Sequence, residues 1–243
     1  MTSPLSQPFL ALDTSTPTAR IALLSPDGEC LLAREKTAAR HGANLLALCD
    51  EALRAANLRV GDLAAIACGA GPGGFTGLRV GLAVAKGLAL PTNLPLVLIS
   101  SLEALAHDLA AISATANLLL PCIDAGKGQV YGRVYSTGDS VQPQGEGDWV
   151  LLPDQLCRIV QETAAGQTLL AGGTGVDRYL DLFRANLGEQ SVHASVPGPS
   201  AIAVGRLALA RMRDNDYDDI ETAVPRYGRP PDITRSKKAL LLP

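Results

Sequence analysis

Two aspartates close apolar runs that echo one another. Asp13 ends Leu10–Asp13 and leads into Thr14-Ser15, and Asp124 ends Leu118–Asp124 and leads into Ala125-Gly126-Lys127-Gly128. If these runs are equivalent strands of facing halves, both carboxylates point into one cleft, the arrangement that acid–base or metal–phosphate chemistry needs. A strand-end aspartate followed by Thr or Ser is also ordinary turn chemistry. A second candidate is Gly69-Ala70-Gly71-Pro72-Gly73-Gly74, which matches GxGxxG between an apolar run and a helical pattern. A dinucleotide site wants an acid about 20 residues further on, where this chain has Leu94-Pro95-Leu96. The same run nearly spells a phosphate loop, with Phe75 in the lysine position. Without that ammonium nothing balances the outer phosphates, so the glycines are expected to serve a tight turn and close helix-on-strand packing.

Other chemistries find little support. His41, His107 and His193 have no second histidine three to five residues away, so HExxH and HxxxH metal sites are absent. GxSxG does not occur. The five cysteines, Cys30, Cys49, Cys68, Cys122 and Cys157, form no CxxC and are odd in number. They are neither a disulfide framework nor a zinc site, and Cys49 and Cys68, inside apolar runs, read as small core residues of a reduced compartment.

The elements that must position these residues belong to a globular chain. It has 243 residues, 47% hydrophobic and 19% charged, which excludes disorder, coiled coil and collagen. A net charge of −3 supplies no global field for nucleic acid, so any RNA contact is local or made through a partner. Met1–Pro8 is polar, and the longest apolar stretch, Gly77–Leu90, is broken by Arg79 and Lys86. A soluble, cytoplasmic protein with no membrane span is expected.

Phe9–Asp13 and Arg20–Ser25 predict two strands around a turn, and Cys30–Glu35 a third. Apolar positions at Leu45, Leu48, Cys49, Ala52, Leu53 and Ala56 predict a helix over His41–Leu58. A strand at Leu63–Cys68, a helix at Phe75–Leu90, a strand at Leu94–Ile99 and a helix from Leu102 to Ile112 follow. The order then restarts: Leu118–Asp124, a turn, Gln129–Tyr135, a hairpin region, a helix at Pro153–Ala164 and a strand at Thr168–Ala171. Helices at Val176–Leu187 and Ser200–Arg213 complete it. This is a duplicated α/β unit with mixed sheets flanked by helices. Residues 1–112 form an N-terminal lobe, 113–224 a C-terminal lobe whose helix 200–213 packs back on the first, and 225–243 a basic tail.

The helix after the glycine run is apolar around almost its whole circumference, through Leu78, Val80, Leu82, Val84, Ala85, Leu88 and Leu90. Gly77, Gly81 and Ala85 recur every four residues, a stripe that admits another helix closely. A sheet covers one face of such a helix, which leaves a partner to cover the other. Leu45, Leu48, Leu78, Leu82 and Val84 are the apolar interface candidates, with Arg79 at their edge. Beyond it, Asp214–Glu221 carries five acids and Arg226–Lys238 five bases against Asp232. Pro225, Pro230 and Pro231 exclude one helix there, and the stretch reads as an exposed tail with solvated charges, or else as a docking segment for protein or RNA.

Leu10–Leu24 (LALDTSTPTARIALL), Gly71–Leu90 (GPGGFTGLRVGLAVAKGLAL), Ser101–Ala106 (SLEALA) and Ile123–Tyr135 (IDAGKGQVYGRVY), with a weaker echo at Pro225-Arg226-Tyr227, resemble the TsaB (YeaZ) family. The resemblance implies an actin/Hsp70/sugar-kinase-like fold, in which Asp13-Thr14-Ser15 and Asp124 occupy degenerate phosphate loops. It implies an accessory subunit without catalytic residues, metal or cofactor. Its partner is a TsaD-like paralogue that transfers threonylcarbamoyl from its adenylate to N6 of an adenosine beside the tRNA anticodon. The pair forms through His41–Leu58 and Phe75–Leu90. A TsaE-like ATPase joins, tRNA is met through the complex, and the chain alone is able to homodimerise. The same superfamily leaves an ATP-dependent sugar-type kinase using Asp13 and Asp124 as the alternative, and a metallopeptidase as a poorer one.

Overall fold

In a computed structural model, residues 6–37, 41–113, 115–164, 166–188 and 191–228 are described, with the backbone alone at 41–44. The first lobe runs β1 (Phe9–Asp13), β2 (Thr18–Leu24), β3 (Cys30–Thr37), α1 (His41–Ala55), β4 (Ile66–Gly71), α2 (Phe75–Ala89), β5 (Leu96–Ser100) and α3 (Ser101–Ile112). The second runs β6 (Leu118–Gly126), β7 (Gln129–Gly132), β8 (Tyr135–Ser136), β9 (Gln142–Pro143), β10 (Trp149–Leu151), α4 (Pro153–Thr163), β11 (Leu169–Gly172), α5 (Thr174–Arg178), α6 (Leu180–Leu187), β12 (Ser191–Ala194) and α7 (Ala201–Arg213).

The first sheet has the order β3-β2-β1-β4-β5, antiparallel through β3, β2 and β1 and parallel from β1 to β5. The second repeats this as β10-β7-β6-β11-β12, with β8 and β9 appended at β6. β1 lies between two neighbours and is buried throughout, so its period of two sorts side chains between two cores. Leu10 and Leu12 face α1 and α2 with Ile21, Leu48 and Leu82. Phe9 and Ala11 face α7 with Ala22, Val204, Leu209 and Met212. Thus α7, the last helix among the described residues, covers the first sheet rather than the second. Ser200 caps it through Ala203 N and is tied to α3 by Asp108, which accepts from Ser200 N and Oγ at 2.7 Å each.

Between the lobes, α3 serves both. Ala104 belongs to the first core, Leu102 and Leu105 pack with Ile123 and Tyr131 of the second sheet, and Leu109 packs with Leu119 and Leu170. The predicted duplication is therefore present, with local corrections. Gly69–Gly71 extend β4 instead of opening a loop. The helix expected at Val176–Leu187 is two, broken at Tyr179, and the edge strand β12 was not anticipated.

Asp214–Glu221 is no solvated tail. Asp218 accepts from Leu98 N (2.7 Å) and Arg211 Nη1 (3.0 Å), and Asp216 takes Arg211 Nε (2.6 Å). These acids seat a strap along β5, whose outer edge would otherwise present unpaired amides. Arg229–Lys238, most of the expected basic segment, lie outside the described residues. Among the described residues no helix is long and apolar enough to cross a membrane.

Candidate functional site

β1 ends in Asp13, and the turn after it carries Thr14 and Ser15. Asp13 is fully buried: its Oδ1 accepts from Ser15 N (2.9 Å) and Ser15 Oγ (2.6 Å), and its Oδ2 from Ser101 Oγ (2.7 Å). Ser101 Oγ in turn accepts from Gly71 N at 3.2 Å. A Cβ at Gly69 would collide with Asp13 Oδ2, so glycine is what lets β4 close over the carboxylate. Burial pushes the Asp13 carboxyl above its usual range, against the lowering by these hydrogen bonds and the charge of Arg20. Asp13 thus locks the ends of β1 and β4 to the start of α3 and does not face the cleft, contrary to the sequence expectation.

Thr14 meets α2 instead. Its hydroxyl donates to Gly77 O at 2.8 Å, and Cβ atoms at Gly77 and Gly81 would strike the Thr14 carbonyl and hydroxyl oxygens. The small-residue stripe of α2 therefore admits a tight turn of the chain's own backbone, not another helix.

A cleft of about 590 Å³ opens between the lobes, lined by Thr14–Pro17, Gly73–Gly77, Ile123–Gly126, Tyr131, Thr174 and Tyr227. Asp124 is its carboxylate. Its Oδ2 accepts from Arg178 Nη1 (2.5 Å), its Oδ1 from Gly126 N (3.0 Å), and its own N–H donates to Thr174 Oγ1 (3.1 Å). Among the described residues that line the cleft none is a lysine, arginine or histidine, while Arg178 holds Asp124 from outside and Arg79 stands at the mouth. At the mouth Phe75, in the lysine position of a phosphate loop, has the Arg79 guanidinium 3.8 Å from its ring centroid and the Tyr227 ring at 5.0 Å. Arg79 Nε donates to Tyr227 Oη at 2.8 Å.

Nucleophile and metal chemistry are not assembled among the described residues. No group of three or more His, Cys, Asp or Glu could hold a metal ion. Burial pushes the Cys49 thiol up to about 12 and Cys157 up to about 11, so both stay protonated at neutral pH.

The interface candidates divide. Leu45, Leu48, Leu78 and Leu82 are 0 to 6% exposed and fill the first lobe's own core. This corrects their expected surface role, because the sheet already claims that side of both helices. Val84 is half-buried and Arg79 exposed. The outward side of α2 exposes Ala83 and Gly87, flanked by Val80, Val84 and Leu88 half-buried against the first core; Leu90 beyond its end and Leu46 on α1 are exposed. Sequence reasoning marked α2 as apolar all round but did not separate its two sides. Ser101 and Tyr227 are marked in the sequence only as parts of the runs that carry the family resemblance, and Arg178 is not marked at all.

The two repeated mixed sheets flanked by helices make an actin/Hsp70/sugar-kinase-type fold. An inorganic polyphosphate/ATP-glucomannokinase from Arthrobacter shares the fold, with TM-score 0.50 and 12% identity over 85% of this chain and all of that one. A family model described as TsaD, tRNA N6-adenosine threonylcarbamoyltransferase, matches residues 34–195. The tRNA threonylcarbamoyladenosine biosynthesis protein TsaB of Escherichia coli K12 is 31% identical over 91% of this chain and 94% of its own length. A Pseudomonas aeruginosa crystal structure, described as similar to the peptidase YeaZ, superposes with TM-score 0.79 at 28% identity, over 92% of this chain and all of that one. The chain belongs to the TsaB (YeaZ) family of tRNA threonylcarbamoyladenosine biosynthesis proteins.

Proposed function

We propose that this chain is a non-catalytic partner subunit that pairs with a TsaD-like paralogue and activates its transfer of a threonylcarbamoyl group to a tRNA adenosine. The observation that carries the pairing is the uncharged stripe of α2, where exposed Ala83 and Gly87 lie beside Val80, Val84 and Leu88, which are half-buried against the first core. An uncharged stripe of this kind on a fold-completing helix marks an interaction surface. Arg79 borders it, and Leu46 of α1 extends it. The accessory role is supported by Asp13, whose carboxylate is spent on Ser15 and Ser101 inside the core. A TsaE-like ATPase and the tRNA meet the chain within the complex, and homodimerisation through the same stripe occurs when the paralogue is absent.

Co-expression with the TsaD-like paralogue tests this. An Ala83→Arg variant is expected to fold and to lose copurification, and unchanged recovery of the pair removes the reading.

The rival, a sugar-type kinase, draws on the interlobe cleft and Asp124. Calorimetry with Mg-ATP separates the two. No binding is expected, whereas binding abolished by Asp124→Ala favours the kinase.

A further inference from the structure

The segment that follows α7 crosses from one lobe to the other. It starts on β5, where Asp218 N donates to Leu96 O at 2.9 Å and Asp218 Oδ2 takes Leu98 N. It passes the end of α2, where Lys86 Nζ donates to Glu221 O (3.4 Å), and buries Ala223 in the first core. Arg226 N then donates to Ala70 O (2.7 Å), adding one more rung beside β4. Tyr227 follows at the cleft mouth, its ring on Phe75 and its hydroxyl accepting from Arg79. Gly228 ends against the second lobe, where a Cβ would collide with the Tyr131 ring on β7 and press on Val150 of β10. The Arg226 charge acts on Glu103 of α3 and on Asp148 beside β10, so it attracts a carboxylate of each lobe.

We propose that residues 214–228 form an intramolecular clamp that, with the α3 core, fixes the angle between the lobes, Tyr227 seating the strap on α2 and Gly228 meeting the second lobe. The α3 core already joins the lobes, and a tie at the cleft mouth limits the hinging that this core still permits. The strap provides that tie, carried on the chain itself. It is anchored by backbone bonds and buried apolar surface on the first lobe and by close backbone approach on the second. Tyr227 and Tyr131 both line the cleft, so release of the strap widens its mouth. This inference concerns the relation of the lobes and stands apart from the pairing through α2.

The test uses the full chain with Cys30→Ser and spin labels on Arg54→Cys in α1 and Glu162→Cys in α4, all exposed positions on opposite lobes. The remaining cysteines are buried and do not label. The unaltered strap is expected to give one narrow distance distribution. Tyr227→Ala is expected to broaden and lengthen it, with exchange of the Arg226 amide about tenfold faster and unchanged helical circular dichroism. Tyr227→Phe, which keeps the ring on Phe75, is expected to stay narrow. Gly228→Trp wedges the strap from Tyr131 without removing Tyr227 and is expected to broaden the distribution as well. A distribution that stays narrow in both Tyr227→Ala and Gly228→Trp overturns the clamp.

Discussion

Ser101 Oγ donates to Asp13 Oδ2 at 2.7 Å across 88 residues of sequence, inside a core that water does not reach. That bond converts a strand-end aspartate, the residue type on which phosphoryl transfer on this fold would depend, into a fastening between β1, β4 and α3. Truncating it leaves Ser15 and Ser101 hydroxyls without their acceptor. Asp13→Ala is therefore expected to destabilise the chain by about 2–3 kcal/mol, read as a lower urea midpoint at unchanged slope. Pairing with the TsaD-like paralogue, assayed below the unfolding midpoint, is expected to persist.

Gly77 supplies a second measure of how closely the turn after β1 is packed. Its Cα approaches the Thr14 carbonyl, and Thr14 Oγ1 donates to Gly77 O. Gly77→Ala must push α2 away from rigid backbone, which a flexible side chain cannot absorb. A loss of about 1–3 kcal/mol is expected by chemical denaturation, despite the better helix propensity of alanine.

The two sides of α2 are expected to respond in opposite ways. Leu82→Arg places a guanidinium in the first core and is expected to leave little folded protein, by circular dichroism. Ala83→Arg and Leu46→Glu alter exposed positions and are expected to keep the melting temperature within a few degrees while weakening pairing.

His107 on α3 carries a pH signature. Its burial lowers the imidazole below 6.5, outweighing the neighbouring Asp108 charge. The unfolded chain then binds more protons between the folded value and 6.5, so this residue's contribution is present above 6.5 and is lost as pH falls through that window. Stability measured from pH 7.5 down to 5 is expected to fall more steeply in the native chain than in His107→Gln. Parallel curves contradict the assignment.

Much of this architecture was legible in the residues. The short apolar run Phe9–Asp13 announces a strand, and the recurrence of an apolar run ending in Asp at Leu118–Asp124 announces the second lobe. What stayed hidden is non-local. Helical periodicity shows that α2 is apolar all round, yet only the position of the sheet decides that Leu78 and Leu82 turn inward and Ala83 outward. A glycine stripe reports close approach without saying to what, and here the answer is a turn sixty residues earlier. Asp218 reads as a solvated acid until the open edge of β5 is placed beside it. The direction of Asp13 likewise depends on Ser101, a residue with no signal of its own in the sequence.

The central claim is tested most directly by reconstitution with the purified TsaD-like transferase, following threonylcarbamoyl transfer to tRNA from the threonylcarbamoyl adenylate. The account predicts that this chain alone transfers nothing, that adding it raises the transferase's rate, and that Ala83→Arg abolishes the gain while Asp13→Ala, kept folded, preserves it. Transfer by the lone chain, or a gain that survives Ala83→Arg and vanishes with folded Asp13→Ala, would contradict it.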